Sequence, residues 1–211
     1  MKIITISRQF GSGGRELGKR MADVLGWDYY DRQIIEQLSK ENGLDPKYVS
    51  HVLNNHEWNT IPMTYRSSFS ATRTADSSRA QLLIRQRQII EEIAEAGNDC
   101  IIVGRDADII LRDYHPFRIF VCAEMQARMD RCMRFENKKE SGRLTEKEVL
   151  RGIKRIDKNR SQIRELLTGK GWADGSSFDL TINSSGWDTA KLAASTADFA
   201  LAWFEQNEEQ K

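Results

Sequence analysis

A three-layer α/β fold around a parallel sheet is the class the sequence predicts, and three observations predict it. Five short apolar strand candidates alternate with helical patterns, with no hairpin signals between them. The first strand, Ile3-Ile4-Thr5-Ile6, is a β-branched run suited to burial on both faces. Three polar groups of residues fall at strand C-termini: the glycine-rich segment Gly11–Gly14, Asp31-Arg32 and Gly104-Arg105-Asp106. In parallel sheets that edge is the ligand-binding crevice.

The first strand runs through Ser7-Arg8-Gln9-Phe10 into Gly11-Ser12-Gly13-Gly14, and a helix follows from about Arg15 to Leu25. Leu17, Met21, Val24 and Leu25 recur there at helical spacing, and Gly26 suits a C-cap. Strand, glycine loop and helix together aim backbone N–H groups and a helix N-terminus at an anion, usually a phosphate. A plain strand-to-helix turn would use the same glycines. Trp27–Tyr30 reads as a second strand ending at Asp31, and Ile34, Ile35 and Leu38 as one face of a helix stopping near Gly43. Asp45-Pro46 opens another helix carrying Tyr48, Val49, Val52 and Leu53. From about Trp58 to Arg79, apolar periodicity disappears. That stretch predicts either a loop over a site, with Arg66, Arg73 and Arg79 available to an anion, or a solvated linker.

A helix from Ala80 to Ala96 follows, with Leu82, Leu83, Gln86, Ile89, Ile90 and Ile93 at the right intervals. Cys100–Val103 is a fully apolar strand, Ala107–Arg112 a short helix and Phe117–Cys122 the next strand. A helix starting near Glu124 carries Arg128, Arg131 and Arg134, and the polar residues 137–143 interrupt the pattern. Thr145 with Glu148 three residues on is a capping box that starts a long basic helix. A strand at Phe178–Ile182, a helix from Asp188 to about Phe204 and an acidic tail complete the chain.

With 211 residues the chain fits one medium domain or one domain with a sizeable insertion. A formal net charge of +1 argues against a dedicated nucleic-acid binder, and 30% charged residues predict a well-solvated surface. No apolar run approaches the roughly 20 residues that span a bilayer, so no membrane partner is expected. The N-terminal residues enter a strand without the regions of a signal peptide, so a cytoplasmic location is expected. Cys100, Cys122 and Cys132 lie outside any C-x-x-C or Cys/His cluster and read as free thiols. The scattered His51, His56 and His115 support no hydrolase triad.

An anion cradle, many arginines and few nucleophiles point toward phosphoryl transfer, in which the protein mainly positions groups and neutralises charge. Asp157, Arg160 and Arg164 share one face of the basic helix, either as part of such a site or as a surface laced with ion pairs. Dinucleotide binding is disfavoured, because Gly11-x-Gly13-x-x-Glu16 lacks the third glycine of G-x-G-x-x-G.

The order of these parts resembles the cytidylate kinases, and more closely the cytidylate-kinase-like family among the P-loop nucleoside monophosphate kinases. The resemblance runs almost end to end. It covers Ile4–Gly18, Tyr30-Asp31, Val103-Gly104-Arg105-Asp106, Ile119-Phe120-Val121 with Arg128 and Arg131, and Asp157-Lys158-Asn159-Arg160. It implies a single P-loop kinase-like domain whose core comprises residues 1–31, 97–134 and 161–205. An NMP-binding insertion would occupy about 32–96 and a lid about 135–160. It further implies ATP as donor with Mg²⁺, a small nucleotide acceptor such as CMP or dCMP, and a monomer or homodimer. Arg8, Gly11, Ser12, Gly13, Gly14, Arg15 and Glu16 would then hold the donor's phosphates. Asp31, Arg105, Asp106, Asp157 and Arg160 would hold the acceptor, and Arg128, Arg131 and Arg134 would cover the transferring group.

Two departures bear on catalysis. The signature G-x-x-x-x-G-K-[ST] is absent: aligned by its glycines, Gly14 stands at the lysine position, and Arg15-Glu16 follow it in place of the hydroxyl residue. Arg15 is expected to supply the missing cation as a catalytic residue beside Arg128 and Arg131, with Arg8 or Lys19 assisting. Glu16 is expected to reach Mg²⁺ as a carboxylate, or else to repel a triphosphate from the helix N-terminus. Arg32 and Gln37 replace a serine and an arginine that contact the acceptor in cytidylate kinases. The alternative is a catalytically silent nucleotide- or phosphate-binding regulator on the same fold.

Overall fold

The computed structural model describes residues 1–46, 69–136 and 144–208. Five strands form one sheet: β1 (Ile3–Arg8), β2 (Asp28–Tyr30), β3 (Cys100–Val103), β4 (Phe117–Cys122) and β5 (Leu180–Asn183). Their spatial order is β2-β3-β1-β4-β5, and every neighbouring pair is parallel. β1 is therefore central, between β3 and β4, and its C-terminal end lies at the point where the strand order reverses.

Seven helices accompany the sheet among the described residues. They are α1 (Gly14–Leu25), α2 (Arg32–Asn42), α3 (Phe69–Glu95), α4 (Ala107–Ile110), α5 (Met125–Glu136), α6 (Glu146–Thr168) and α7 (Thr189–Glu208). The two faces of the sheet bury separate cores. Ile3, Cys100 and Ile102 pack with Ile34, Leu38, Ile89 and Ile90 of α2 and α3. Ile4, Ile6, Ile101, Val103 and Val121 pack with Leu17 and Met21 of α1 and Ala193, Ala200 and Phe204 of α7. Because successive strand side chains point to opposite faces, β1 and β3 must be apolar at nearly every position. The three-layer architecture is the one the alternating pattern predicts.

Two helix ends are as their local sequence dictates. Gly26 caps α1 in the left-handed conformation at φ 69°, and Thr145 with Glu148 forms a complete capping box on α6. Thr145→Ala removes that box and is expected to cost about 1 kcal/mol, readable as a lower melting temperature. An unchanged midpoint would show that packing alone holds the start of α6.

Three expectations need correction. Residues 69–79 belong to α3, which starts eleven residues before the expected Ala80. Apolar periodicity reports a buried face, not helicity, and Ser, Ala, Thr and Arg can be helical without showing that period. The last strand is Leu180–Asn183 rather than Phe178–Ile182: Phe178 follows a 3-10 turn and stacks on Phe120 at 5.0 Å between ring centroids. α7 runs on through Glu208 instead of ending near Phe204. The helix expected after Pro46 and the segment expected at 58–68 lie outside the described residues, as do residues 137–143 of the expected lid.

Candidate active site

The C-terminal ends of β1, β2 and β3 open on a cleft of about 1070 Å³, closed on its far side by α6. Its polar side carries Arg8, Arg15, Asp31, Arg105, Asp106 and Arg160, and its other side is apolar, with Ile35, Ile109, Ile156, Ile163 and Trp172. Residues from four separate stretches of chain thus converge at one sheet edge.

Arg8 ends β1 with its side chain only 15% exposed, 3.8 Å from Asp31. Arg15 reaches the same carboxylate from the first turn of α1, with Nε 2.5 Å from Oδ2. Asp31, 4% exposed, is thereby clamped between two arginines. The Tyr29 hydroxyl donates to the Arg15 carbonyl at 3.2 Å, and burial pushes that phenol up to about 12. Arg15 therefore spends its guanidinium on Asp31, and its side chain is half exposed. Lys19, the other expected helper, pairs with Asp23 on the surface.

Gly104, Arg105 and Asp106 follow β3 with φ of 75°, 62° and 53°. Two consecutive non-glycine residues in the left-handed region cost of order 1–3 kcal/mol each, and such strain collects at functional sites. The turn brings both side chains into the cleft. Burial, then the nearby Arg8, pushes Arg105 down to about 10, and the same two causes push Arg160 down to about 9. Since arginine does not give up its proton in proteins, both stay charged within a crowded group of cations at the cleft.

Burial and the charge of Asp108 push the Asp106 carboxyl up to about 6. Its folded value lies above the unfolded one, so the folded state holds the extra proton, and the stability this contributes is lost as pH rises through about 6. Sulfate, whose charge is constant over this range, is expected to bind the cleft more tightly at pH 5 than at pH 7.5. The Asp106→Asn variant should flatten that dependence in a calorimetric titration. An undiminished pH dependence in the variant would remove Asp106 as its source.

The glycine loop is held from outside the cleft. The Phe10 N–H donates to Asp157 Oδ1 at 2.8 Å, while Arg128 Nε donates to the Phe10 carbonyl at 2.7 Å and pairs with Asp157 through Nη2. Arg131 Nη1 donates to the Gly11 carbonyl at 2.8 Å, and its guanidinium lies against Gly13, where an added Cβ would sit 3.1 Å from Cζ. Ser12 is fully buried, donating to the Gln9 carbonyl at 2.9 Å and accepting at its own carbonyl from Ser184. Arg160 Nη1 donates to the Arg8 carbonyl at 2.8 Å. Arg128, Arg131 and Asp157 thus brace the loop, whereas Arg8, Arg105, Asp106 and Arg160 face the cleft. Arg134 is exposed and turned back on its own helix.

A donor's phosphates fit this loop. Gly13, at φ 84°, is the N-cap of α1 and offers no side-chain cap, so the first-turn N–H groups are left for an anion. Glu16, the expected metal ligand, pairs with Arg20 at 2.9 Å on the surface. Among the described residues no group of three or more His, Cys, Asp and Glu could hold a cation. Mg²⁺ at such sites takes one or two carboxylates together with substrate phosphates and waters, and Asp31 and Asp106 are carboxylates that line this cleft.

Sequence reasoning overlooked Asp108 as a partner of Arg164. Both are 4% exposed and paired Nη1 to Oδ2, with the guanidinium 4.8 Å above the Phe178 ring. The pair ties α6 to the turn that carries Arg105 and Asp106. Asp108, two residues beyond Asp106, carried no local signal of this role.

Solved structures that share this architecture include kinases. Shikimate kinase from Bacteroides thetaiotaomicron superposes with a TM-score of 0.57 at 12% identity, covering 97% of this chain and 98% of that one. Shikimate kinase from Acinetobacter baumannii in complex with shikimate gives 0.54 at 12% identity, covering 96% and 94%. An uncharacterized protein from Eubacterium ventriosum gives 0.68 at 21% identity, covering 95% and 98%. At these identities the likeness shows the fold alone. The family comes from the sequence: the cytidylate kinase-like family model matches residues 3–186, and the chain belongs to that family. No curated protein matches it. The kinase-like membership carries with it nucleotide-dependent phosphoryl transfer as the coarse chemistry. Among the described residues no helix is long and apolar enough to cross a membrane.

Proposed function

We propose that this protein transfers the γ-phosphoryl group of ATP to a nucleoside monophosphate, CMP or dCMP, in an Mg²⁺-dependent reaction. The observation that carries the reading is the convergence of Arg8, Arg105 and Arg160 on one cleft beside an uncapped glycine loop. Bound ATP supplies the electrophilic phosphorus, and this chain's residues do the rest. The loop N–H groups hold the donor's phosphates, and Arg105 and Arg160 grip the acceptor's phosphate with paired hydrogen bonds. Asp157 stands 3.9 Å from Arg160, Asp31 and Asp106 line the same cleft, and the apolar wall excludes water. Catalysis of this kind is positioning and charge neutralisation.

The test is ADP formation with CMP, dCMP, other nucleoside monophosphates and small hydroxyl compounds as acceptors, with and without Mg²⁺. Turnover that requires both CMP or dCMP and Mg²⁺ supports the proposal, and no turnover with any acceptor sinks it. A second reading, a silent nucleotide- or phosphate-binding regulator, draws support from Glu16 and Arg15, both engaged within the protein. Tight ATP binding without transfer of labelled phosphate would select it.

A further inference from the structure

Position 14, where a P-loop lysine would stand, holds a glycine, and the obvious replacement, Arg15, is occupied by Asp31. The geometry points to a relocated charge: Arg8 is the phosphate-neutralising cation of this loop, and Gly14 and Gly104 are glycines because its side chain needs their space. This rests on the phosphotransferase reading and names the residue that does the lysine's work.

The path of Arg8 is defined at both ends. A Cβ built on Gly14 would lie 2.8 Å from the Arg8 Cβ, and 3.2 Å from both the Arg8 Cγ and the Val121 Cβ. A Cβ is fixed to the backbone and cannot swing aside, so a side chain at 14 and the present stem of Arg8 exclude each other. At the far end, a Cβ on Gly104 would lie 1.5 Å from Arg8 Nη1 and 2.6 Å from Cζ. The guanidinium therefore lies directly on the Gly104 backbone, whose φ of 75° also favours glycine.

The same side chain is poorly neutralised. Its ion pair with Asp31 is 3.8 Å long, beyond hydrogen-bond range, and that carboxylate already holds Arg15 at 2.5 Å. Burial and the neighbouring Arg15 push Arg8 below its ordinary value. The Arg8 carbonyl is tied to Arg160, which fixes where the residue sits. A largely buried cation whose stem passes Gly14 of the glycine loop and whose guanidinium lies on the Gly104 turn at the cleft is satisfied by an incoming phosphate. In this account the missing lysine and the arginine at position 8 are one change, not two.

The test is a swap in the full chain, read by calorimetry with inorganic triphosphate and with Mg-ATP, and by melting temperature. Arg8→Gly should weaken triphosphate binding by about 10- to 100-fold, the scale of a lost charge-assisted hydrogen bond. Gly14→Lys alone should lower the melting temperature without improving binding, because the two Cβ atoms cannot coexist. The double variant Arg8→Gly/Gly14→Lys removes the clash with Arg8, leaving the 3.2 Å approach to the Val121 Cβ, and restores the charge, so its binding should return toward wild type. Arg8→Gln keeps the stem without the charge and reads the same loss should Arg8→Gly not fold. Arg8→Gly or Arg8→Gln binding triphosphate like wild type would overturn the inference and leave Arg8 a structural strut. Arg8-dependent triphosphate binding without phosphoryl transfer to any acceptor would sustain it and sink the enzyme reading. A wild-type protein that binds neither probe would sink both.

Discussion

Asp108→Ala is expected to lower the melting temperature by about 6–20 °C. The carboxylate and Arg164 are each 4% exposed, and truncating one partner leaves the other charge buried without compensation. Breaking a buried pair in this way costs about 3–5 kcal/mol, and in a chain of this size each kcal/mol moves the midpoint by about 2–4 °C. Arg164 cannot escape, since Phe178 lies beneath it and its Nε makes no hydrogen bond among the described residues. Replacing both partners, as Asp108→Leu/Arg164→Met, should recover most of the loss, because well-packed apolar residues avoid the desolvation of two charges. A midpoint unmoved in Asp108→Ala would mean that water reaches the pair and that α6 is held by its apolar contacts alone.

Arg160→Ala should lower kcat/KM for the nucleotide acceptor by about 10²-fold or more, the scale seen when a preorganised charge stabiliser is removed. Its guanidinium faces the cleft, is 28% exposed and holds the Arg8 carbonyl at 2.8 Å. Because that bond also positions Arg8, the melting temperature is read alongside, and an activity loss well beyond the loss of stability assigns the effect to the acceptor site. Arg160→Lys should restore little, because an ammonium cannot reproduce the planar fork that meets a phosphate with two parallel hydrogen bonds. Steady-state kinetics with the acceptor varied at saturating ATP reads this directly. An unchanged acceptor KM and kcat would remove Arg160 from the acceptor site.

Much of this architecture was legible along the chain because its signals are local. The β-branched run of β1, the left-handed cap at Gly26 and the Thr145–Glu148 box each act within a few residues. The placement of Gly104-Arg105-Asp106 at a strand end followed from the same short-range pattern. Residues 69–79 gave no such signal, because helicity without apolar periodicity leaves no mark in the pattern.

The site was legible only in part. Spacing placed Asp157 and Arg160 on one face of α6, and they do meet the loop, but their partners could not be read from it. Asp157 accepts from a backbone N–H 147 residues away, and Asp108 finds Arg164 across 56. Arg8 and Arg15 are equally arginine, and position in the sequence favours Arg15 as the substitute cation. What separates them is three-dimensional: Arg15 meets Asp31, while Arg8 runs through the space left by two glycines, one six residues ahead and one on another strand's end.

Hydrophobic pattern and turn chemistry along the chain fixed the alternation of buried strands and amphipathic helices, and hence a parallel sheet with a phosphate-type loop after its first strand. Those features depend on hydrophobic periodicity and backbone conformation, which are set by neighbours. That this strand is central came only from the strand order. Only the tertiary structure decided which charges face the cleft and which brace its walls. A guanidinium's role depends on the carboxylates, carbonyls and empty volumes it meets, and here these arrive from distant strands and helices.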